Sequence, residues 1–551
     1  MLRYILLSAA LVLSAGCAAP GDDVPQAALD AITADGLSDG IATLASDAFE
    51  GRAPSSPGEE KTVAYLEAQF RTIGLEPGNG DSYFQQVPLV AITANPDMQL
   101  SVADESGRST YAYGDDFMAW TTRIVESVHL DASEMVFVGF GVVAPEYDWN
   151  DYAGLDVRGK TVVMLINDPG FGSGDPSLFN GNAMTYYGRW TYKFEEAARQ
   201  GAAAAFIVHE TEPASYPWEV VSGSWSGPQF DLVPEDNNMS RVTAEGWLHI
   251  DTARALFQRA GLDFDAEKAR ARTRAFSPVS LRLTASMDIA NTIRRSESRN
   301  VIATLPGRTR PDEYVIYMAH WDHFGIDPSL EGDQIYNGAV DNASGTAGLL
   351  EIARGFAALP QRPERSVAFL AVTAEEQGLL GGRYYAEYPI IPTAQTAAAI
   401  NIDGVNLTGP TRDLTVVGYG NSELDRYLTE AAEAQGRVVR PDPEPQKGFF
   451  YRSDHFSFAK KGVPALYTDP GIDDVARGEA YGIQMREDYT ANRYHKPADE
   501  FDPNWDFSGA VQDLRLLLTV GYRVANTDHW PTWNDGTEFK AIREAERPPQ
   551  P

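Results

Sequence analysis

The chain has 551 residues, a formal net charge of −33 at pH 7 and 43% hydrophobic residues. This length exceeds one ordinary hydrophobic core, so at least two domains are expected, and the apolar content excludes general disorder. The excess of carboxylates would repel a phosphate backbone, so no nucleic-acid partner is expected.

The first residues, MLRYILLSAALVLSAGC, predict a secretory signal (residues 1–17) rather than part of the fold. One early arginine precedes an apolar stretch that is too short to span a membrane comfortably. LSAGC resembles a bacterial lipobox with Cys17, the only cysteine, as the lipidated residue. Ser14 departs from that pattern and leaves plain secretion as the alternative. We therefore expect an exported protein that is a periplasmic or membrane-anchored lipoprotein, or else is secreted.

Changes in residue composition and in secondary-structure pattern along the chain predict its domains. Residues 27–97 contain a helix that Ser56 and Pro57 would start and Gly74 would end. Residues 98–288 are rich in short β-branched runs such as TVVMLIND and show no cluster of ligand-type residues. We expect one discontinuous domain over residues 27–97 and 289–530, a β-rich insert over residues 98–288, and a C-terminal tail over residues 531–551.

Strands and helices alternate from residue 298 onward. Apolar strands such as SVAFLAVT are separated by amphipathic helices such as GTAGLLEIARGFAAL. This pattern predicts an α/β fold with a mixed, mainly parallel sheet and helices on both faces. In such sheets the functional crevice lies beyond the carboxyl ends of the strands.

Ligand-type side chains recur at these strand ends and in later loops. The candidates are His320, Asp322, Asp341, Glu375, Glu376, Asp403 and His495. Two histidines and three carboxylates, with a further glutamate beside them, suit two zinc ions better than one. His323 and His455 are interpreted as structural or supporting residues rather than as ligands.

Two adjacent glutamates, Glu375 and Glu376, follow a buried strand directly. Adjacent side chains at a strand end project in different directions, so Glu376 can bind a metal while Glu375 stays free as a general base. Two bare carboxylates this close would repel each other, whereas divalent cations make the pair favourable.

Several motifs, taken in order along the chain, resemble those of the M28 family of co-catalytic zinc peptidases over about residues 47–523. They are HWD, VDNASG, TAEEQGLLG, NID, RSDH and YHKPAD. The resemblance implies a zinc exopeptidase-like fold with an inserted protease-associated (PA) domain over residues 98–288. It also implies two Zn²⁺ ions per chain, with Co²⁺ or Mn²⁺ as alternatives.

The resemblance implies a metal-binding role for five residues. Asp341 would bridge the two ions. His320 and Asp403 would complete one site, and Glu376 and His495 would complete the other.

Further roles follow from the same resemblance. Glu375 would be the base and then the acid, and Asp322 would orient His320. Tyr494 would stabilise the oxyanion, and Arg452 would lie near the substrate carbonyl as a substrate-binding residue.

The expected activity is hydrolysis of peptides by an exopeptidase, and an aminopeptidase is favoured because carboxylates at the metals can sit near a free α-amine. A carboxypeptidase or dipeptidase is the alternative, in which Arg452 or Lys447 would receive a terminal carboxylate. A non-catalytic binding protein would have lost some ligands, and none is missing from the sequence. The oligomeric state is left open.

Overall fold

The computed structural model describes residues 24–547. The predicted signal segment and Cys17 lie outside this range. Within residues 24–547, no helix combines the length and the apolar character that a membrane crossing requires.

The α-helices of residues 24–547 lie mostly in the two predicted parts of the discontinuous domain. They are α1 (Gln26–Asp30), α2 (Ala34–Leu44), α3 (Pro57–Ile73), α4 (Trp190–Arg199), α5 (Thr211–Ala214), α6 (Trp218–Ser224), α7 (Ile250–Arg259), α8 (Phe264–Ala271), α9 (Gly345–Ala357), α10 (Leu380–Glu387), α11 (Leu424–Ala434), α12 (His455–Ala459), α13 (Glu479–Asn492), α14 (Ser508–Asn526) and α15 (Lys540–Glu546).

The strands begin after α3. They are β1 (Glu76–Pro77), β2 (Phe84–Ala94), β3 (Gln99–Asp104), β4 (Gly107–Ala112), β5 (Phe117–Trp120), β6 (Ser127–Phe137), β7 (Val143–Ala144), β8 (Trp149–Asn150), β9 (Thr161–Leu165), β10 (Ala204–Val208), β11 (Pro228–Leu232), β12 (Ala244–Leu248), β13 (Val279–Leu305), β14 (Arg310–His320), β15 (Gly325–Ile326), β16 (Ile335–Tyr336), β17 (Arg365–Val372), β18 (Thr396–Asn401), β19 (Asp413–Val417), β20 (Val438–Pro441) and β21 (Ala465–Asp469).

The helix predicted after residue 56 is confirmed at both ends. The Ser56 side chain accepts hydrogen bonds from the N–H groups of Gly58 and Glu59, as an N-cap does. Gly74 ends α3 with φ 89°, a left-handed conformation that glycine adopts without a steric penalty.

The main sheet has the strand order β11-β2-β13-β17-β14-β18-β21-β19-β20. Its central strands β17, β14, β18 and β21 are parallel neighbours. Residues of β14 alternate between two cores: Val315 and Tyr317 pack with α2, α3, α9 and α14, whereas Ile316 and Met318 pack with α10 and α12. The predicted α/β fold, with helices on both faces of the sheet, is confirmed.

The insert builds a second sheet, in the order β4-β3-β13-β6-β9-β10-β12-β5. Strand β13 is shared by both sheets, because it pairs with β6 up to Ala290 and with β2 from Asn291 onward. The boundary predicted at residue 288 therefore lies inside one continuous strand, and the insert also supplies β11 to the main sheet. The identification of this insert as a PA domain stays a prediction.

The segment predicted as a tail packs on the main domain as far as residue 547. Trp533 and Phe539 are buried. Arg543 donates hydrogen bonds to the carbonyls of Thr393 and Thr396 at 3.2 and 2.8 Å.

Candidate metal centre

Three neighbouring parallel strands deliver most of the candidate ligands to one edge of the sheet. His320 is the last residue of β14, Asp403 follows β18, and Glu375 and Glu376 follow β17. Because parallel strands end on the same side, these side chains converge there.

Five predicted ligands form two adjacent clusters that share Asp341. In the first, His320 Nε2 lies 3.2 Å from Asp403 Oδ1 and 3.3 Å from Asp341 Oδ1. In the second, His495 Nε2 lies 3.2 Å from Asp341 Oδ2 and 3.3 Å from Glu376 Oε2. Each oxygen of Asp341 thus faces a different histidine, which is the arrangement that a bridging carboxylate requires.

The turn after β17 separates the two glutamates. Ala374 has φ 53°, a left-handed conformation that costs a residue with a side chain roughly 1–2 kcal/mol. The Glu375 carboxylate then lies with His320 and Asp403, one ligand atom of each being within 4.8 Å of the others. Glu376 instead faces the second cluster. The two carboxylates that are adjacent in the sequence therefore point to different clusters, Glu375 to the first and Glu376 to the second.

Burial and neighbouring charges shift the pKa values of several residues in this centre. Burial and the neighbouring carboxylates raise the pKa of Glu375 and of Glu376 well above the ordinary value. Burial alone would lower the pKa of His320, but Glu375 and Asp403 raise it well above its usual range.

The donor set fits divalent metal ions. Within residues 24–547, the ion-pair partners of Asp341, Glu376 and Asp403 are histidines, and no lysine or arginine lies within ion-pair distance of them. The charge of the buried Arg52 acts on Asp341 and Glu376 from farther away. Imidazole nitrogens and carboxylate oxygens are also the ligands that zinc takes. Divalent cations would offset a concentration of negative charge that is otherwise unfavourable.

His323 supports the second cluster. It is fully buried, and its Nδ1 lies 2.6 Å from Glu376 Oε1, so it orients the carboxylate whose other oxygen faces His495. His455 joins neither cluster and lies against the rings of Phe450 and Tyr467. The Nδ1 or Nε2 of His323 also lies within 4.8 Å of one oxygen each of Asp341 and Glu376, so its supporting role stays a prediction, as does that of His455.

Asp322 is buried between the first cluster and the glutamate turn. Its carboxylate accepts a hydrogen bond from the Glu375 N–H at 3.1 Å. The nearest partner of His320 Nδ1 is the Asp322 backbone carbonyl at 3.2 Å, whereas the carboxylate lies 3.8 Å away. The predicted orientation of His320 therefore depends mainly on the carbonyl of this residue.

Tyr494 and Arg452 flank the clusters. The Tyr494 ring stacks on His495 with centroids 3.8 Å apart. Arg452 precedes Ser453, whose hydroxyl donates to Asp403 Oδ2 at 2.6 Å. Tyr494 therefore lies next to a predicted ligand, and Arg452 is one residue from a side chain that contacts another.

Asn342 joins the loops that carry Asp341 and Asp403. Its amide nitrogen donates to the Ile402 carbonyl at 3.0 Å, and its oxygen accepts from the Gly404 N–H at 2.8 Å. The VDNASG motif gives Asn342 no role of its own, because a short motif does not show which distant loop an amide reaches.

Asp499 was also missed, although it lies in the quoted YHKPAD motif. Its buried carboxylate accepts hydrogen bonds from the N–H groups of Val340 and Asp341, each at 3.1 Å. Burial raises the pKa of Asp499 to about 6. This carboxylate fixes the backbone that presents Asp341.

Replacing Asp499 by asparagine should weaken zinc binding about 10- to 100-fold, because an amide holds the Asp341 loop less firmly than a carboxylate does. Equilibrium dialysis against buffered zinc measures this affinity. Asp502→Asn, on an adjacent loop, is the matched control and should bind zinc like the wild type. Equal affinity of all three proteins would contradict a positioning role for Asp499.

Comparison with known proteins finds similarity in the part of the chain that carries this centre. Residues 300–519 match the model of peptidase family M28. A probable zinc metalloprotease of Pyrenophora tritici-repentis is 41% identical over 267 residues, covering 42% of this chain and 58% of that protein. A probable glutamate carboxypeptidase of Arthroderma benhamiae is 28% identical over 246 residues, covering 39% of this chain and 32% of that protein. The chain therefore spans less than two thirds of the length of these curated relatives.

Among the solved structures similar to this chain is an aminopeptidase from Aneurinibacillus sp. strain AM-1, 22% identical, with a TM-score of 0.49, covering 93% of this chain and 97% of that chain.

Proposed function

Because residues 300–519 match the model of peptidase family M28, we propose that the chain is a zinc-dependent exopeptidase, and specifically an aminopeptidase that releases N-terminal residues from peptides. The observation that carries this proposal is Asp341, whose two oxygens face the histidines of two separate clusters. Export through residues 1–17, with an anchor at Cys17, is part of the proposal and is supported by the N-terminal sequence alone.

We assign two zinc ions to the two clusters. His320, Asp341 and Asp403 would hold one ion, and Asp341, Glu376 and His495 would hold the other. When bound, the ions would polarise the scissile carbonyl and make the attacking water more acidic.

Glu375 moves the proton in the proposed reaction. Its carboxylate, beside His320 and Asp403, takes a proton from the water as the water oxygen attacks the carbonyl carbon. The C–N bond then breaks and Glu375 passes that proton to the leaving amine. We assign to the phenol of Tyr494, whose ring stacks on His495, a hydrogen bond to the developing oxyanion.

An excess of carboxylates favours a substrate with a free amine. Burial and the nearby Asp403 raise the pKa of Asp469 to about 6, so this carboxyl group is still mostly ionised at neutral pH and adds to the charge. A positively charged α-ammonium group is attracted to such a site. A carboxypeptidase or dipeptidase is the second candidate, favoured by a basic side chain, Arg452, close to the centre.

Two matched substrates test whether the enzyme requires a free N-terminus. The zinc-loaded full chain should hydrolyse leucine-p-nitroanilide at least about 100-fold faster than N-acetyl-leucine-p-nitroanilide, because acetylation removes the charged amine. Faster cleavage of an N-blocked dipeptide with a free carboxylate would instead favour the carboxypeptidase. Cleavage of none of these compounds by the zinc-loaded protein would favour the non-catalytic binding protein.

A further inference from the structure

A buried arginine contacts the backbone of two segments that carry metal ligands, and the proposed reaction gives it no role. Arg52 lies between α2 and α3, and its side chain is fully buried. Within residues 24–547, the hydrogen-bond partners of its guanidinium group are backbone carbonyls rather than carboxylates. This is unusual, because an arginine is almost never fully buried unless it is paired with an acidic group.

The guanidinium group joins the two ligand-bearing segments. Its Nε donates to the Trp321 carbonyl at 2.9 Å, and Trp321 directly follows the ligand His320. Its Nη1 and Nη2 donate to the carbonyls of Asn337 and Gly338 at 2.6 and 2.8 Å, in the loop that leads to the shared ligand Asp341. One planar group therefore spans the backbone next to His320 and the backbone before Asp341.

Arg52 is itself attached to a fixed part of the main domain. Its Nη1 also donates to the Leu44 carbonyl at the end of α2, at 2.8 Å. The φ angles of Glu50, Gly51 and Arg52 are 52°, 63° and 53°, in the left-handed region that residues with a side chain seldom adopt. Such a conformation persists only where the surrounding contacts fix it.

Arg52 and Asp499 hold the Asp341 loop through groups of opposite charge. Asp499 accepts hydrogen bonds from the N–H groups at the C-terminal end of the loop, whereas Arg52 donates to the carbonyls at its N-terminal end. Hydrogen bonds that involve a charged group are stronger than those between neutral groups. The loop that presents the shared ligand is therefore held at both ends.

The charge of Arg52 also acts on this centre. Burial lowers the pKa of Arg52 to about 10, and the negative charges of Asp499 and Asp322 limit that decrease, so the group stays ionised at neutral pH. Its hydrogen bonds would favour metal binding by fixing the ligands, whereas its charge would repel a divalent cation. The two effects predict opposite changes in metal affinity when the side chain is replaced.

We propose that Arg52 is a positioning residue that sets the spacing between His320 and Asp341 and thereby strengthens the binding of both metal ions. This inference rests on the two-metal centre of the proposed function and gives the buried arginine a part in it. A guanidinium group suits this role because its N–H donors lie in a fixed plane, whereas a lysine presents its donors from one atom.

Two substitutions separate the geometry of Arg52 from its charge. Arg52→Lys keeps the charge and loses the planar set of donors. Arg52→Met removes the charge and the hydrogen bonds without leaving an unpaired buried cation, so it also serves if Arg52→Lys does not fold. Both variants should bind zinc about 10- to 100-fold more weakly than the wild type, as measured by equilibrium dialysis of the full chain against buffered zinc.

The visible absorption spectrum of the cobalt-loaded full chain provides a second measurement. The absorption bands of Co²⁺ depend on the geometry of its ligands. Arg52→Lys should therefore change the spectrum even at saturating Co²⁺, which a loss of overall stability would not do.

Arg365→Lys is the matched control. Arg365 is also fully buried and donates to three backbone carbonyls. It begins β17, at the end of that strand opposite to Glu375 and Glu376. The control should lower the melting temperature of the metal-free chain but keep the zinc affinity and the cobalt spectrum of the wild type.

Four results would overturn the inference. They are wild-type zinc affinity in folded Arg52→Lys, an unchanged cobalt spectrum in that variant, equal or tighter zinc binding by Arg52→Met, and an equal loss of affinity in Arg365→Lys. Tighter binding by Arg52→Met would show that the arginine acts on the metals through repulsion alone. None of these measurements needs turnover, so a wild-type chain that binds zinc but cleaves no peptide would remove the proposed function without affecting this inference. A wild-type chain that binds no zinc would overturn both.

Discussion

Replacing Glu375 by glutamine should lower kcat by about 10³-fold or more while both metal ions remain bound. Glutamine has nearly the same shape but cannot take a proton, and general base catalysis typically contributes 10²- to 10⁴-fold. The measurements are kcat on leucine-p-nitroanilide and the zinc content by inductively coupled plasma mass spectrometry. Because Glu375 is directed toward the first cluster and Glu376 toward the second, the neighbouring variant Glu376→Gln should lose metal instead.

A control variant removes a glutamate far from this chemistry. Glu387 is exposed and paired with Lys461 at 2.6 Å, so Glu387→Gln should keep both kcat and metal content. Full activity of Glu375→Gln would remove the assigned base. Loss of zinc from Glu375→Gln would show that Glu375 is a ligand, which is the rival role suggested by its closeness to His320 and Asp403.

Replacing Asp341 by asparagine should remove both metal ions, whereas replacing Asp403 by asparagine should remove one. The reason is that the two oxygens of Asp341 face the histidines of different clusters, while Asp403 faces the histidine of the first cluster. Zinc stoichiometry after dialysis against a limiting zinc buffer measures this difference. We expect roughly two ions for the wild type, one for Asp403→Asn and close to none for Asp341→Asn, with activity reduced at least about 100-fold in both variants.

Asp312→Asn is the matched control for these two variants, since Asp312 is exposed on the same strand as His320. It should retain the wild-type zinc content. Loss of only one ion from Asp341→Asn would contradict the bridging role and would favour two independent sites.

Local patterns in the sequence were sufficient to predict the main helices and strands and the residue types of the candidate metal ligands. Ser56 caps the start of α3 and Gly74 ends it, and both act on residues that are close in the sequence. The pattern therefore predicts α3 correctly. The strands that end at His320 and just before Asp403 are apolar runs buried on both faces, and this property is visible in the residues themselves. Convergence of the ligands then follows from parallel neighbours that end on the same side of the sheet.

Contacts between residues far apart in the sequence decided how the two sheets join and which side chains support the metal ligands. These features have no local sequence pattern from which they could be predicted. Strand β13 runs without a break through both sheets, since its partners β6 and β2 are far away in sequence and lie end to end in space. Asp499 reaches the backbone of Asp341 across more than 150 residues. A side chain that acts through a hydrogen bond or a charge on a distant loop has no periodicity or spacing of its own, so only folding brings its role to light.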